Sequence, residues 1–213
     1  RVSFGGRSPK EKAGIREAGF AVLVEGYFDF AQVYQAGFRS VVASCGTALT
    51  PAQAQQLRRF TGKVVLSFDP DAAGQGAAAK SCEMLVAEGF EVNVAILPAG
   101  EDPDTYVRAH GRQGYADRLR TSRPYLDYLL DRAAAHHNLR NAEGRARFVA
   151  EVLPIVERIP DRTRQELFVE AVAGRAGVAG ELIRAQVPKT AGRGGAAPLT
   201  ARRAWLPMAW SRA

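Results

Sequence analysis

Several things are scarce in this 213-residue chain. It has two cysteines, too few for a disulfide framework, and Cys45 and Cys82 stand in unrelated settings that cannot supply a zinc-binding module. No apolar run reaches the roughly 18 residues of a membrane-spanning helix, and partners in or on a membrane are not expected. The first residues, Arg1-Val2-Ser3-Phe4-Gly5-Gly6-Arg7, carry no apolar core of a secretory signal and no initiator methionine. The expectation is a piece of a longer chain that works in a reducing cytoplasm. With 46% hydrophobic and 24% charged residues, the chain is also not a disordered polymer.

Positive charge is present but unevenly spread. Of the net +7, residues 189–213 supply +5 through Lys189, Arg193, Arg202, Arg203 and Arg212, with no acid among them. The preceding body is nearly neutral. A basic tail suits phosphate contact and suits a solvated linker equally well, so bulk charge selects no partner.

Periodicity divides the chain. Residues 21–24, 40–43, 64–68 and 92–97 are short, β-branched and almost uninterrupted apolar runs, the pattern of strands covered on both faces. Helical stretches over 28–37, 51–60 and 73–88 alternate with them, with Thr50-Pro51 as a start signal and Gly89 as a stop. Alternation of this kind predicts an α/β fold, an open parallel sheet with flanking helices. From about Pro124 the spacing becomes purely helical, with Asn141, Pro154 and Pro160 as punctuation and a last short helix opening at Leu182-Ile183. That predicts a small all-α helical subdomain packed beside the sheet. The divisions expected are a remnant of a preceding subdomain over 1–20, the sheet domain over 21–121, the helical subdomain over 122–187 and a basic linker or tail over 188–213.

The acids fall at strand ends. Glu25 follows the first apolar run, Asp69 and Asp71 the third, and Asp102 and Asp104 come soon after the fourth. In an open parallel sheet these ends share one edge, where ligands bind. Carboxylates crowded together raise one another's pKa unless cations neutralise them. Oxygen ligands without nearby His or Cys select a hard ion such as Mg²⁺ or Mn²⁺. Asp-x-Asp on one loop can bridge two such ions in the arrangement suited to phosphoryl transfer. Each acid alone is equally a turn or helix-capping residue, and Asp71 can also cap the helix that follows it. Gly26, Gly74 and Gly76 leave room for a tight turn or a close phosphate. Lys80, inside the next helix, is a candidate phosphate contact. Lys10, Lys12 and Arg16 read as a solvated loop, Arg58, Arg59 and Lys63 as cations at a helix end, His136 and His137 as surface, and Trp205 and Trp210 as part of the tail.

These same residues carry a resemblance. Glu25-Gly26-Tyr27-x-Asp29, Ala43-Ser44-x-Gly46-Thr47-Ala48, Asp69-x-Asp71-x-Ala73-Gly74 and Gly100-Glu101-Asp102-Pro103-Asp104, in this order, resemble the toprim domain of bacterial DNA primases of the DnaG type. The likeness covers about residues 20–187, and the helical part resembles the third subdomain of the family's polymerase core. It implies a nucleotidyltransferase, an RNA polymerase that makes short primers on single-stranded DNA during replication. Glu25, Asp69 and Asp71 would be its catalytic metal ligands. Asp102 and Asp104 would be further metal contacts, and Asp29, Gly26, Gly46, Thr47, Gly74 and Lys80 would support them. Two or more Mg²⁺ or Mn²⁺ ions are implied, and no zinc in this piece. The implied partners are template DNA, ribonucleoside triphosphates, the RNA primer and, through a C-terminal domain absent here, the replicative helicase. The implied location is the bacterial replication fork. Pro70 stands where the family usually has glycine, and only Ser8 to Phe20 stands where it carries a longer segment. The competing readings are a toprim nuclease using the same acids and a non-catalytic nucleic-acid-binding module.

Overall fold

The computed structural model describes residues 9–44, 49–68 and 72–187. Strands β1 (Ala21–Val24), β2 (Val41–Ala43), β3 (Lys63–Phe68) and β4 (Glu91–Ile96) are all parallel, in the order β2-β1-β3-β4. A two-residue strand, β5 (Arg123–Pro124), joins the β4 edge antiparallel, pairing Asn93 with Pro124. The expected open parallel sheet with flanking helices is thus present, with one short antiparallel strand added at its edge. Two residues are too few to leave a periodic signal.

Helices alternate with the strands. They are α1 (Pro9–Ala18), α2 (Tyr27–Gln35), α3 (Pro51–Arg58), α4 (Ala72–Ala87) and α5 (Pro103–Arg120). Four more form the bundle: α6 (Tyr125–His136), α7 (Ala142–Arg158), α8 (Arg162–Ala176) and α9 (Gly180–Arg184). Their starts are chemically marked. Thr50 caps α3 by accepting from the Gln53 amide, with Pro51 in the first turn. Asn141 caps α7 and Asp161 caps α8 in the same manner. Helix α5 bends at Gly111, whose φ of 64° and ψ of −172° only glycine adopts readily.

The strand pleat sends alternate side chains to opposite faces. Ala21, Leu23, Val64, Leu66, Val92 and Val94 point to one face, where they pack with Ile15, Leu57, Leu85 and Phe90 and continue into Phe148, Val152, Phe168 and Val172 of the bundle. Sheet and bundle thus share one continuous apolar core. Val22, Val24, Val65 and Ala95 point to the other face, against Val33 of α2 and Tyr106, Tyr115 and Leu119 of α5.

Two local expectations are corrected and a third is extended. Residues 9–18, read as loop, form α1; the face of that helix is anchored by Ile15, and Arg16 lies 5.1 Å over the Phe60 ring. Pro154 does not separate helices. It sits exposed inside α7, which runs through it. Arg58 closes the last turn of α3 as expected and also reaches past the end of α4, where its Nη1 donates to the Gly89 carbonyl at 2.6 Å and its guanidinium lies over Phe90.

Candidate functional site

The strand order makes the site's location a topological consequence. The chain leaves β1 towards β2 on one side, and β3 lies on the other, so the order reverses between β1 and β3. A crevice forms outside the carboxyl ends at such a switch point. In register, Leu23 pairs with Leu66, and Val24 with Ala43. Glu25 is the next residue after β1, and Asp69 the next in sequence after β3. The two acids therefore follow the two strands that flank the reversal.

Glu25 is half-buried at this edge, followed by Gly26, which takes the N-cap position of α2 in extended conformation. Asp29 is the buried acid of the rim, 8% exposed. Its Oδ2 accepts from the Gly26 amide at 2.9 Å, and its Oδ1 accepts from the Asp104 amide at 3.2 Å. One carboxylate thus ties the turn after β1 to the loop after β4, across 75 positions of sequence. Burial pushes the Asp29 pKa above the usual carboxylate value. The two amides act against that shift, and the neighbouring Asp102 and Asp104 charges add to it.

Asp102 caps α5. Its Oδ1 accepts from the Thr105 amide at 2.8 Å, and the Thr105 hydroxyl oxygen accepts from the Asp102 amide at 3.0 Å. Asp104 receives the Arg108 guanidinium at 2.8 Å one turn along the helix. Both acids, expected as metal contacts, hold structural partners in this arrangement. Among the described residues no three His, Cys, Asp or Glu side chains gather as a metal-holding group. Asp69 and Asp71, on which such a group was expected to centre, lie outside the described residues, as do Gly46 and Thr47.

Helix α4 begins at Ala72, directly after Asp71 in sequence. Gly74 and Gly76 lie within the first turns of this helix, as expected, and a Cβ on Gly76 would meet open space. Lys80 is exposed, eight residues into α4 and so about 12 Å from its start at 1.5 Å per residue. Glu25, Asp102 and Asp104 offer carboxylates at this edge, which suit a hard divalent cation. His110 approaches this edge too, 3.5 Å from Glu101, the residue before Asp102.

The Asp29 tie was missed as such, because it joins two motifs far apart in the chain. The motifs themselves were its only signal. His136 and His137, read as free surface, both approach Glu151, at 3.6 and 2.6 Å.

Comparison with known proteins agrees with this architecture. Residues 22–107 match the family described as toprim-like, and residues 126–180 match the DnaB-helicase binding domain of primase. A DNA primase from Clostridium acetobutylicum is 34% identical over 157 residues, which are 74% of this chain and 26% of that protein. The chain belongs to the bacterial DnaG-type primase family.

Among solved members of the primase family, a DNA primase domain from Pseudomonas aeruginosa superposes with a TM-score of 0.76 at 29% identity, covering 83% of this chain and 56% of that one. A DnaG primase catalytic domain bound to single-stranded DNA gives 0.70 at 30% identity, covering 77% and 53%. The chain spans about a quarter of the curated primase that it matches. The helicase-binding match falls on α6 to α8, within the chain, where the sequence had placed helicase contact in a domain outside it. Residues 126–180 therefore carry a helicase-binding likeness themselves, and the shared coverage with primase core structures extends over the bundle too.

Proposed function

We propose that this chain forms the metal-binding half of a primase active site and takes part in RNA primer synthesis on single-stranded DNA in the bacterial cytoplasm. The observation that carries this reading is the reversal between β1 and β3, which sets Glu25 and the Asp69-Pro70-Asp71 segment after neighbouring strands in a chain of the DnaG family. Glu25, Asp69 and Asp71 would hold two Mg²⁺ or Mn²⁺ ions, with Asp102 and Asp104 near enough in the chain's topology to add charge. Such ions stabilise the charge of an in-line attack by the primer 3′-hydroxyl on the α-phosphate of a ribonucleoside triphosphate, with pyrophosphate leaving.

The protein's own work is positional. Asp29 fixes the turn that carries Glu25 relative to the loop that carries Asp102 and Asp104. Gly26 keeps that turn narrow; Gly74 lies in the first turn of α4, and Gly46 and Thr47 follow β2 in sequence. Lys80, exposed and two turns along α4, is placed to meet a phosphate farther out than the reacting group. The bundle α6 to α8 is proposed as a contact for the replicative helicase, on its family match.

The test incubates the chain with single-stranded DNA, labelled ribonucleotides and Mg²⁺ or Mn²⁺, beside a Glu25→Gln variant. Short RNA that disappears in the variant is the expected result. Shortening of the DNA instead would assign the acids to a nuclease. DNA binding that is indifferent to both metal and variant, with neither product, would assign the chain to a non-catalytic binding module.

A further inference from the structure

Three polar side chains are buried together beneath the carboxyl edge, in the otherwise apolar core that α2 and α5 lay over the sheet. Ser67 of β3 and Tyr115 of α5 have no exposure, and Asp29 of α2 has 8%. Strand alternation puts Ser67 on the same face as Val65, which packs in this core with Tyr115. The Tyr115 ring is fixed in place: it meets Phe38 edge-on at 5.1 Å between centroids and lies 6.4 Å from Tyr106. The bend at Gly111 falls between Tyr106 and Tyr115, so two limbs of α5 bring their rings into one core.

Burial pushes the Tyr115 phenol well above its usual pKa. The Ser67 hydroxyl works against that shift as a hydrogen-bonding neighbour, and the Asp29 charge adds to it. Both groups therefore stand near the phenol oxygen, yet neither hydroxyl has a partner of full hydrogen-bond geometry among the described residues. Phenylalanine and alanine would fill these two positions without the cost of desolvating a hydroxyl. Polar groups kept in a core at that cost mark places where stability is given up for function. Ser67 stands two residues before Asp69, and the carbonyl of the intervening Phe68 accepts from the Leu97 amide at 3.3 Å. Tyr115 belongs to the helix whose first turn holds Asp104.

We propose that Tyr115 and Ser67 are positioning residues for the carboxylate rim, a polar joint that sets where the end of β3, and so Asp69, stands against α5 and the Asp29 tie. The phenol oxygen is held by its ring, and the ring by Phe38 and Tyr106. It gives the Ser67 hydroxyl a fixed polar neighbour on α5, which a phenyl ring does not. Neither residue touches an ion or a nucleotide; both act through the backbone that leads to Asp69. The proposal rests on the metal-binding reading for its effect on cation affinity, whereas the joint itself needs no ion.

The test uses the whole chain with Tyr115→Phe, Ser67→Ala, the two combined, and Tyr125→Phe. Tyr125 is a control of the same chemistry, a buried phenol without a hydrogen-bond partner among the described residues, packed in the core on the other face of the sheet. In EDTA, amide hydrogen exchange at Leu97 should quicken about tenfold in each single variant of the pair. Mn²⁺ titration should show about tenfold weaker binding in each, the lower end of what groups behind a metal ligand are worth. Because the two hydroxyls form one joint, the combined variant should lose no more than either single one. Unfolding midpoints should match the parent or rise in all four, and Tyr125→Phe should keep parental exchange and affinity. Exchange at Leu97 within twofold of the parent in both pair variants would overturn the joint. So would losses that multiply in the combined variant, or a fall in unfolding midpoint that accompanies them. Quickened exchange with unchanged Mn²⁺ affinity would overturn the positioning role. Quickened exchange in a chain whose parent binds no Mn²⁺ would support the joint and count against the metal-binding reading alone.

Discussion

The two faces of the sheet are finished in opposite ways. On one, the inward side chains of β1, β3 and β4 meet α1, α3 and α4 and continue without a break into the bundle through Phe148, Val152 and Phe168. On the other, only α2 and α5 cover the strands, and that smaller core ends in the Asp29 tie and in Tyr27 and Phe28 open to solvent. One side is closed mainly by burial. The other trades burial for a polar junction between loops at the carboxyl edge. Stability and proposed chemistry are thereby separated, and substitutions on the two sides should produce different kinds of loss.

The largest expected effect is Phe148→Ala, at a ring with no exposure in the shared core. It should cost about 3–5 kcal/mol in denaturant unfolding, and because sheet and bundle share the core it should shift their transitions together. Separate transitions would break the comparison at its first premise. Next is Asp71→Asn, expected to weaken Mn²⁺ binding by about a hundredfold or more, since even groups behind a metal ligand are worth about ten- to hundredfold, with the unfolding midpoint unmoved. Asp29→Ala sharpens the contrast further. It should speed amide hydrogen exchange at Gly26 and Asp104 together, by about tenfold, because both amides lose their acceptor. Acceleration at one amide alone would mean that the two loops are held independently.

Asp102→Ala removes the cap of α5 and should cost about 1 kcal/mol in thermal or chemical unfolding. Smallest is Asp131→Asn on the bundle surface. Arg123 and Arg175 hold the Asp131 carboxyl below its usual pKa. Its contribution is therefore present above the unfolded value of 3.8 and is lost as the pH falls through the lower folded value. Parent and variant should differ slightly in melting temperature at pH 7, less so in high salt, and converge as the pH falls through the lowered folded-state value.

Strands and helices between 21 and 98 were legible because burial on both faces leaves uninterrupted β-branched runs, and their observed limits differ from the expected ones by a residue or two. What was not legible depends on contacts between distant residues or on very short segments. β5 is two residues long, and α1 carries one deeply buried anchor, Ile15. Pro154 reads as a break, yet an exposed position in α7 tolerates it. At the site, the motif acids were evident from their positions after strands. The use of Asp29 as a tie was not, because its partner is the backbone of Asp104 rather than any patterned side chain. Nor could periodicity reveal that Tyr27 and Phe28 face solvent, since nothing in α2 itself states which side α5 will cover.

The central claim is that Glu25, Asp69 and Asp71 together form a divalent-cation site at the switch point. Titration calorimetry with Mn²⁺ on the whole chain tests it most directly, comparing the parent with Glu25→Gln, Asp69→Asn and Asp71→Asn. The account predicts binding in the parent that collapses in all three variants while their unfolding curves stay superimposable. Unchanged Mn²⁺ affinity in any of the three would contradict it.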